Sequence, residues 1–488
     1  MANLTKEDIT SVTEIIKELY LEDMIPWICG YSGGKDSTAV VQLVWYALRE
    51  LPPEKRRKTV HVISTDTLVE SPVVAIWAAD SLKKMERQAK EEGLPVIPHR
   101  LTPAAANTFW VNLIGRGYPY PRRDFRWCTD RLKIEPSNRF IKRILDAESE
   151  AIMVLGSRKA ESAARKAVLE GYEKKRYRAH LSPNGSFPNS YVFTPIENWS
   201  NDNVWQYLVQ VPNPWGHSNK DLLAMYSGAS ADGECPLVLD KSTPSCGNSR
   251  FGCWVCTMVS EDKSMAAMIR NDEEKSWMLP MLEFRNEIAG DWQTDRDRRD
   301  FRRKDGRLTW HNQRLVHGPY TKETREYFLR RLLEVEKLVH EIGPEEIRDV
   351  PLITADELRL IRQIWLDEKH EFDDSLPCIY EEVTGRPYED GTISKNKYFG
   401  APEAELLYTV CSELYPDEKL LPEMQRALLD IEAKAAAVSN RKNVVLNLEN
   451  EIKKAFYRDE AEAGQIAELR ARRAGGAAGE TAPDDFAE

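Results

Sequence analysis

Two groups of residues in this chain have the types and spacing to do chemistry. The first is Tyr31-Ser32-Gly33-Gly34-Lys35-Asp36-Ser37-Thr38. An apolar stretch from Ile25 to Cys29 precedes it and an apolar run of helical spacing follows, so a strand is expected to turn into a helix here. A helix start leaves backbone N–H groups without partners and carries the positive end of the dipole, which together cradle phosphate. Gly33 and Gly34 allow the turn and the close approach of an anion. Lys35 adds a point charge, and Ser32, Ser37 and Thr38 add hydroxyl donors. A Walker A loop places Ser or Thr directly after its lysine; Asp36 follows Lys35, which excludes that motif.

The second group is sulfur. Cys235, Cys246, Cys253 and Cys256 form a C-x10-C-x6-C-x2-C set. Four thiolates this close bind either a structural Zn²⁺ or an iron–sulfur cluster. Phe251, Trp254 and Val255 would shield a redox cluster, yet the final C-x2-C suits zinc equally, so the residues leave both open. Cys128 follows a loop holding Arg116, Arg122, Arg123 and Arg126. Nearby guanidinium groups are expected to favour its thiolate, suiting it to carry a persulfide or to act as an alternative ligand. Cys29, Cys378 and Cys411 stand apart and read as buried apolar cysteines.

The elements that must position these groups follow from periodicity. Helical spacing is expected over Ile9 to Tyr20, from the loop to Leu51, and over Val73 to Glu92; strands are expected at Thr59–Ser64, Pro95–Ile97 and Ala151–Leu155. That alternation predicts an α/β fold, a parallel twisted sheet with helices on both faces, in which ligands gather at strand carboxyl ends. Ser32, Asp66 and Gly156 all fall at such ends. Beyond Cys256 helical patterns dominate, as at Phe328, Leu332, Val335 and Val339. The expected divisions are an N-terminal helix (1–22), the α/β domain (23–230), the cysteine segment (231–260), an α-helical C-terminal region (261–470) and a disordered tail (471–488).

Across 488 residues, 30% are charged and no apolar run approaches membrane-spanning length, so no membrane partner is expected. The N-terminus shows neither a basic nor an apolar signal region, which makes the cytoplasm the expected location. The net charge of −11 disfavours general nucleic-acid binding, so any DNA contact must be local. Arg296 to Arg314 holds eight basic and three acidic residues, and Lys174-Lys175-Arg176-Tyr177-Arg178 is a second basic tract.

The Ser32–Thr38 string resembles the SGGxDS signature of the PP-loop, or N-type, ATP pyrophosphatase superfamily. Further segments resemble its phosphoadenosine phosphosulfate (PAPS) reductase-like branch: Asp66-Thr67; Arg126-Trp127-Cys128-Thr129 with Leu132-Lys133 and Pro136; Gly156-Ser157-Arg158 with Glu161-Ser162 and Arg165; and Pro195-Ile196 with Trp199. The resemblance implies ATP on Ser32–Thr38 with Mg²⁺, Asp66, Gly156, Arg158, Glu161 and Arg165 around the nucleotide, and Lys35, Asp36, Cys128 and Arg158 in catalysis. It tips the cysteine set toward [4Fe–4S], with zinc as the alternative. The length, the cysteine insertion and the charged helical region are similar to the DndC family of DNA phosphorothioation. That likeness implies an ATP pyrophosphatase and sulfurtransferase acting on DNA, with a cysteine desulfurase as sulfur donor and other Dnd-system proteins as partners. The rival readings are a PAPS reductase, a tRNA-thiolating enzyme and a zinc-stabilised DNA-binding scaffold.

Overall fold

The computed structural model describes residues 4–123, 125–230, 251–389, 399–436 and 443–475. The chain divides into two compact units: residues 1–109, 121–286 and 339–350, and residues 110–120, 287–338 and 351–488.

The first unit is built on a sheet whose strands are β1 (Trp27–Gly30), β2 (Val60–Thr65), β3 (Val96–Leu101), β4 (Ala151–Val154), β5 (Ser182–Pro183) and β6 (Ser190–Phe193). Their order is β3-β2-β1-β4-β6-β5, parallel throughout except for β5, which runs antiparallel to β6. Strands buried on both faces need apolar residues at every position, not alternate ones. Trp27-Ile28-Cys29 meets that need: Trp27 and Cys29 enter one core with Val60, Val62, Ile152 and Val154, while Ile28 enters the other with Ile63, Met153 and Val192. The mostly parallel sheet with helices is therefore the fold, and helices also dominate the C-terminal region.

The helices of this unit are α1 (Lys6–Glu22), α2 (Lys35–Glu50), α3 (Pro72–Glu92), α4 (Glu135–Glu148), α5 (Ala163–Lys174), α6 (Asn201–Gln210) and α7 (Asn219–Gly228). Helix α1 opens with a capping box between Thr5 and Asp8. Helix α2 is buried along most of its length, because its apolar residues run nearly all round it. Trp199, Trp205 and Leu208 are core residues.

Between β2 and β3, His61 Nδ1 lies 3.0 Å from His99 Nε2, with Phe140 against both rings. Burial first, then His99 and Arg143, pushes His61 down to about 4. Between that value and its ordinary 6.5 the unfolded chain binds a proton that the folded one refuses, so stability is lost as pH falls through this window. Urea midpoints should therefore drop from pH 7 to pH 5, and His61→Phe should flatten that drop.

In the second unit, helices Lys322–Ile342 (through Leu338), Ala355–Asp367, Ser375–Thr384 and Leu421–Ala436 bury an apolar interior that includes Phe328, Leu332, Val335 and Trp365. Arg325 and Glu371 pair inside it, 3% and 4% exposed at their side chains, and Arg426 adds a longer contact to Glu371 at 3.9 Å, so the buried charges offset one another. No helix among the described residues is long and apolar enough to cross a membrane. The expected tail lies outside the described residues from 476 onward.

Candidate functional site

Strand order reverses between β1 and β4, the point where open α/β sheets bind ligands. A cavity of about 960 Å³ opens there, lined by Ser32 to Ser37, Asp66, Glu70, Lys133, Arg158, Glu161 and Arg165 among others. Thr38 is buried one turn into α2.

The loop folds as its residues dictate. Gly33 adopts a φ of +74°, open to glycine at little cost. Ser37 donates to the Gly34 carbonyl at 3.0 Å, and the Ser32 N–H donates back to the Ser37 hydroxyl at 3.2 Å. The Gly34 N–H reaches Ser32 Oγ and the Lys35 N–H reaches the Tyr226 hydroxyl, each at 3.4 Å. Bonds that long are weak, so an anion in the cradle displaces little to gain both donors. The residues present thus fit a polyphosphate.

Asp36 and Arg158, 122 positions apart, are brought together. Arg158 is 2% exposed, and its Nε donates to Asp36 Oδ1 at 2.7 Å while Lys35 Nζ donates to Oδ2 at 3.0 Å. Arg158 also donates to the Trp199 carbonyl at 3.3 Å, and Glu161 accepts from the Arg158 N–H at 2.9 Å. A solvated surface arginine is thereby ruled out at 158; Arg165 is the exposed one, bonded to Ser157 at 3.0 Å. Asp66 lines the cavity with its carboxylate already engaged by Arg100 and by the Leu68 N–H at 2.8 Å. It does not cap α3, whose N-cap is Ser71.

Gly156 has a different reason to be glycine. A Cβ there would lie 2.9 Å from the Asp36 backbone, so β4's exit passes directly against the start of α2. Gly156→Ala should force the two apart, costing about 1–3 kcal/mol and weakening nucleotide binding tenfold or more. Thermal melting and nucleotide titration of the variant check this.

The sulfur group borders the same cavity. Cys253 Sγ is 3.3 Å from Thr67 Oγ1 and 3.7 Å from Glu70, and Glu70 pairs with Lys133 at 3.4 Å. The Trp254 N–H donates to the Val69 carbonyl at 2.9 Å, pinning the cysteine loop to the turn after β2. Lys133 lies on a wide π-turn, Thr129–Ile134, that begins at Cys128 and leads into α4. Cys128 and Cys253 each sense the charge of Cys256. Among the described residues no three metal-binding side chains are grouped to hold an ion, and Cys235 and Cys246 lie outside those residues.

Two expectations about sulfur need correction. Burial raises the Cys128 thiol and outweighs a Thr129 hydrogen bond and Lys133, which lower it. Arg123 and Arg126 are exposed and turn their charge to water, whereas the thiol is largely desolvated. Cys378 is exposed and donates to Glu382 at 3.2 Å; Cys29, pushed up to about 12 by burial, and Cys411 are buried as expected.

Sequence reasoning missed Tyr226, Glu70 and above all Arg285. Arg285 is fully buried, and its guanidinium donates to the carbonyls of Cys256 at 2.9 and 2.7 Å and of Ser260 at 3.0 Å. It holds the cysteine loop by its backbone. Only its place among unremarkable helical residues was visible.

The fold and site define an α/β domain with a glycine-rich loop and a cavity at its switch point. Residues 26–214 match the family model of the phosphoadenosine phosphosulfate reductase domain, so this part of the chain is similar to that domain. Two uncharacterized proteins of Methanocaldococcus jannaschii are similar. MJ0066 is 29% identical over 204 residues, covering 41% of this chain and 35% of its own length. MJ0973 is 26% identical over 178 residues, covering 36% and 34%. The chain thus spans about a third of the length of these curated relatives. Among solved structures, a phosphoadenylyl-sulfate reductase from Candida auris overlaps 44% of this chain and 91% of its own, at 14% identity and a TM-score of 0.25. The U34-tRNA thiolase NcsA from Methanococcus maripaludis, solved with its [4Fe-4S] cluster, overlaps 59% and 80%, at 15% identity and a TM-score of 0.25. Overlaps this loose carry no argument about the present chain.

Proposed function

We propose that the first unit is an ATP pyrophosphatase that activates an acceptor by adenylation for sulfur insertion, in the manner of the DndC family, with a DNA backbone phosphate as acceptor. The observation that carries this reading is the Ser32–Thr38 cradle, locked by the Asp36–Arg158 pair, on a cavity whose wall also holds the Glu70–Lys133 pair beside Cys253.

ATP lies with its phosphates on the loop amides, Lys35 and the Ser32 and Ser37 hydroxyls. Mg²⁺ carried on the triphosphate would neutralise part of its charge. An acceptor oxygen attacks the α-phosphorus; the bond from that phosphorus to the α,β-bridging oxygen breaks, and pyrophosphate leaves. Preorganised donors stabilise the charge that develops on the transferred and departing phosphates. Sulfur from a persulfide donor, a cysteine desulfurase in this reading, then displaces AMP from the activated acceptor, and a thiol reductant breaks the remaining S–S bond. Cys235, Cys246, Cys253 and Cys256, or Cys128 in place of one of them, are the thiols that would hold an iron–sulfur cluster, which would supply a site able to bind and polarise sulfur. Contacts to DNA are proposed for the basic tracts, although Arg176 pairs with Glu197 and Arg178 with Asp23.

The test follows α-labelled ATP with and without DNA and a persulfide donor. Label should appear in AMP, and AMP should rise when DNA and donor are both present. Release of ADP and orthophosphate alone would end the reading. Anaerobically purified protein should be brown and lose its colour in a Cys253→Ser/Cys256→Ser variant; a colourless, zinc-loaded protein would instead favour the scaffold.

A further inference from the structure

The second unit has a cavity of its own, about 880 Å³, lined in part by the Arg296–Arg314 tract and containing none of the nucleotide-site residues. Six fixed cations line it: Arg116, Arg303, Lys304, Arg307, Lys453 and Lys454. Four carboxylates share the lining: Asp305 and Glu451 pair with the lining cations Arg307 and Lys454, the latter at 2.6 Å, Asp367 pairs with Lys434 at 3.3 Å, and Glu368 is the fourth, so cations exceed carboxylates by two (6 − 4). A cation excess in one concave place is notable in a chain of net charge −11.

The cations are presented by rigid parts. The Arg303–Arg307 loop closes on itself, with the Arg303 N–H donating to the Arg307 carbonyl and the Gly306 N–H to the Arg303 carbonyl, both at 2.8 Å. Gly306, at a φ of +79°, lets this loop press against Lys454 at the end of helix Val444–Lys454. Arg302 fastens the same junction: 4% exposed, it donates to Asp300 at 2.6 Å, to Glu423 at 2.8 Å and to the Lys454 carbonyl at 3.0 Å. Most cations of the Arg296–Arg314 tract are spent in this way. Arg299 pairs with Asp295 and Arg296 with Glu460, while Arg303, Lys304 and Arg307 face the cavity. His370 joins them with its Nδ1 held 2.7 Å from the buried Asp430, which leaves Nε2 as its ring atom for a ligand. Asn447 and Asn450 add neutral donors to the lining.

We propose that this cavity is a second anion site, which takes the phosphate groups of a phosphate ester. The chemistry is shared by a free nucleotide and by a polynucleotide backbone. The site stands apart from the adenylation reading, because it needs only phosphate and not attack on ATP.

The test reverses two exposed cations, Lys304→Glu and Lys453→Glu, in the full chain. Melting and ATP-to-AMP conversion without DNA should stay unchanged, since neither residue belongs to the nucleotide site. Binding of a labelled 20-base-pair duplex should weaken tenfold or more, and its log K against log salt slope should fall by about 2. Calorimetry with AMP and with pyrophosphate distinguishes the free-ligand source: a second binding site in the parent, lost in the variant, assigns the cavity to a small phosphate ester. If duplex, AMP and pyrophosphate all bind the folded variant as they bind the parent, or the parent shows no binding beyond the nucleotide site, the proposal is overturned. Should ATP turnover be absent while either phosphate arm responds, the adenylation reading fails and this one stands.

Discussion

Replacing Arg158 with alanine should lower AMP and pyrophosphate formation by about 10²–10³-fold, the usual loss when one preorganised charge donor is removed. Asp36→Asn should be as damaging to activity and worse for stability. The reason is the asymmetry of the pair: Arg158 is 3% exposed at its side chain and Asp36 24%. Removing Arg158 leaves Asp36 still bonded to Lys35 at 3.0 Å. Removing the Asp36 charge leaves a buried guanidinium with only carbonyl partners, which costs about 3 kcal/mol or more. Urea unfolding of both variants reads the difference. Arg158→Lys should restore stability better than turnover, because an ammonium keeps the charge but not the fork that reaches Asp36 and the Trp199 carbonyl together. Equal pyrophosphate release by Arg158→Ala and the parent would remove this pair from the reaction.

Arg285→Met should release the cysteine loop. The methionine matches much of the volume, yet the Cys256 and Ser260 carbonyls lose their donors. Ser260 is exposed, so its carbonyl can turn to water, but the part-buried Cys256 carbonyl is left without its donors, and a loss of about 1–3 kcal/mol is expected. A second readout separates loop release from general destabilisation. Cys253 is half-buried in this loop and its thiol is held high by burial and by Glu70. In native buffer it should react with a thiol reagent at least tenfold faster in the variant. If stability falls but that rate stays unchanged, Arg285 supports the fold without positioning the thiols.

Much of the first unit was legible because it is local. The apolar run into β1, the Gly-Gly turn and the helical spacing of α2 are each encoded within a few residues, and the β2, β3 and β4 runs are recognisable in the same way. Strands β5 and β6 were not, since Ser182–Pro183 and Ser190–Phe193 are too short to show a period and one contains proline. The exposure of Cys378 also escaped notice, because an isolated cysteine carries no local sign of which way its helix faces.

By itself the sequence determined the α/β scaffold and the glycine turn at Ser32–Thr38, because hydrophobic period and glycine placement act through the backbone nearby. Tertiary structure alone decided the partners: Asp36 with Arg158, Glu70 with Cys253, Arg285 with the Cys256 carbonyl, and residues 110–120 with the second unit. Such pairings join segments far apart along the chain. They form only when packing of the apolar faces brings those segments to one place, and charge and hydrogen-bonding capacity then choose among the groups that arrive there.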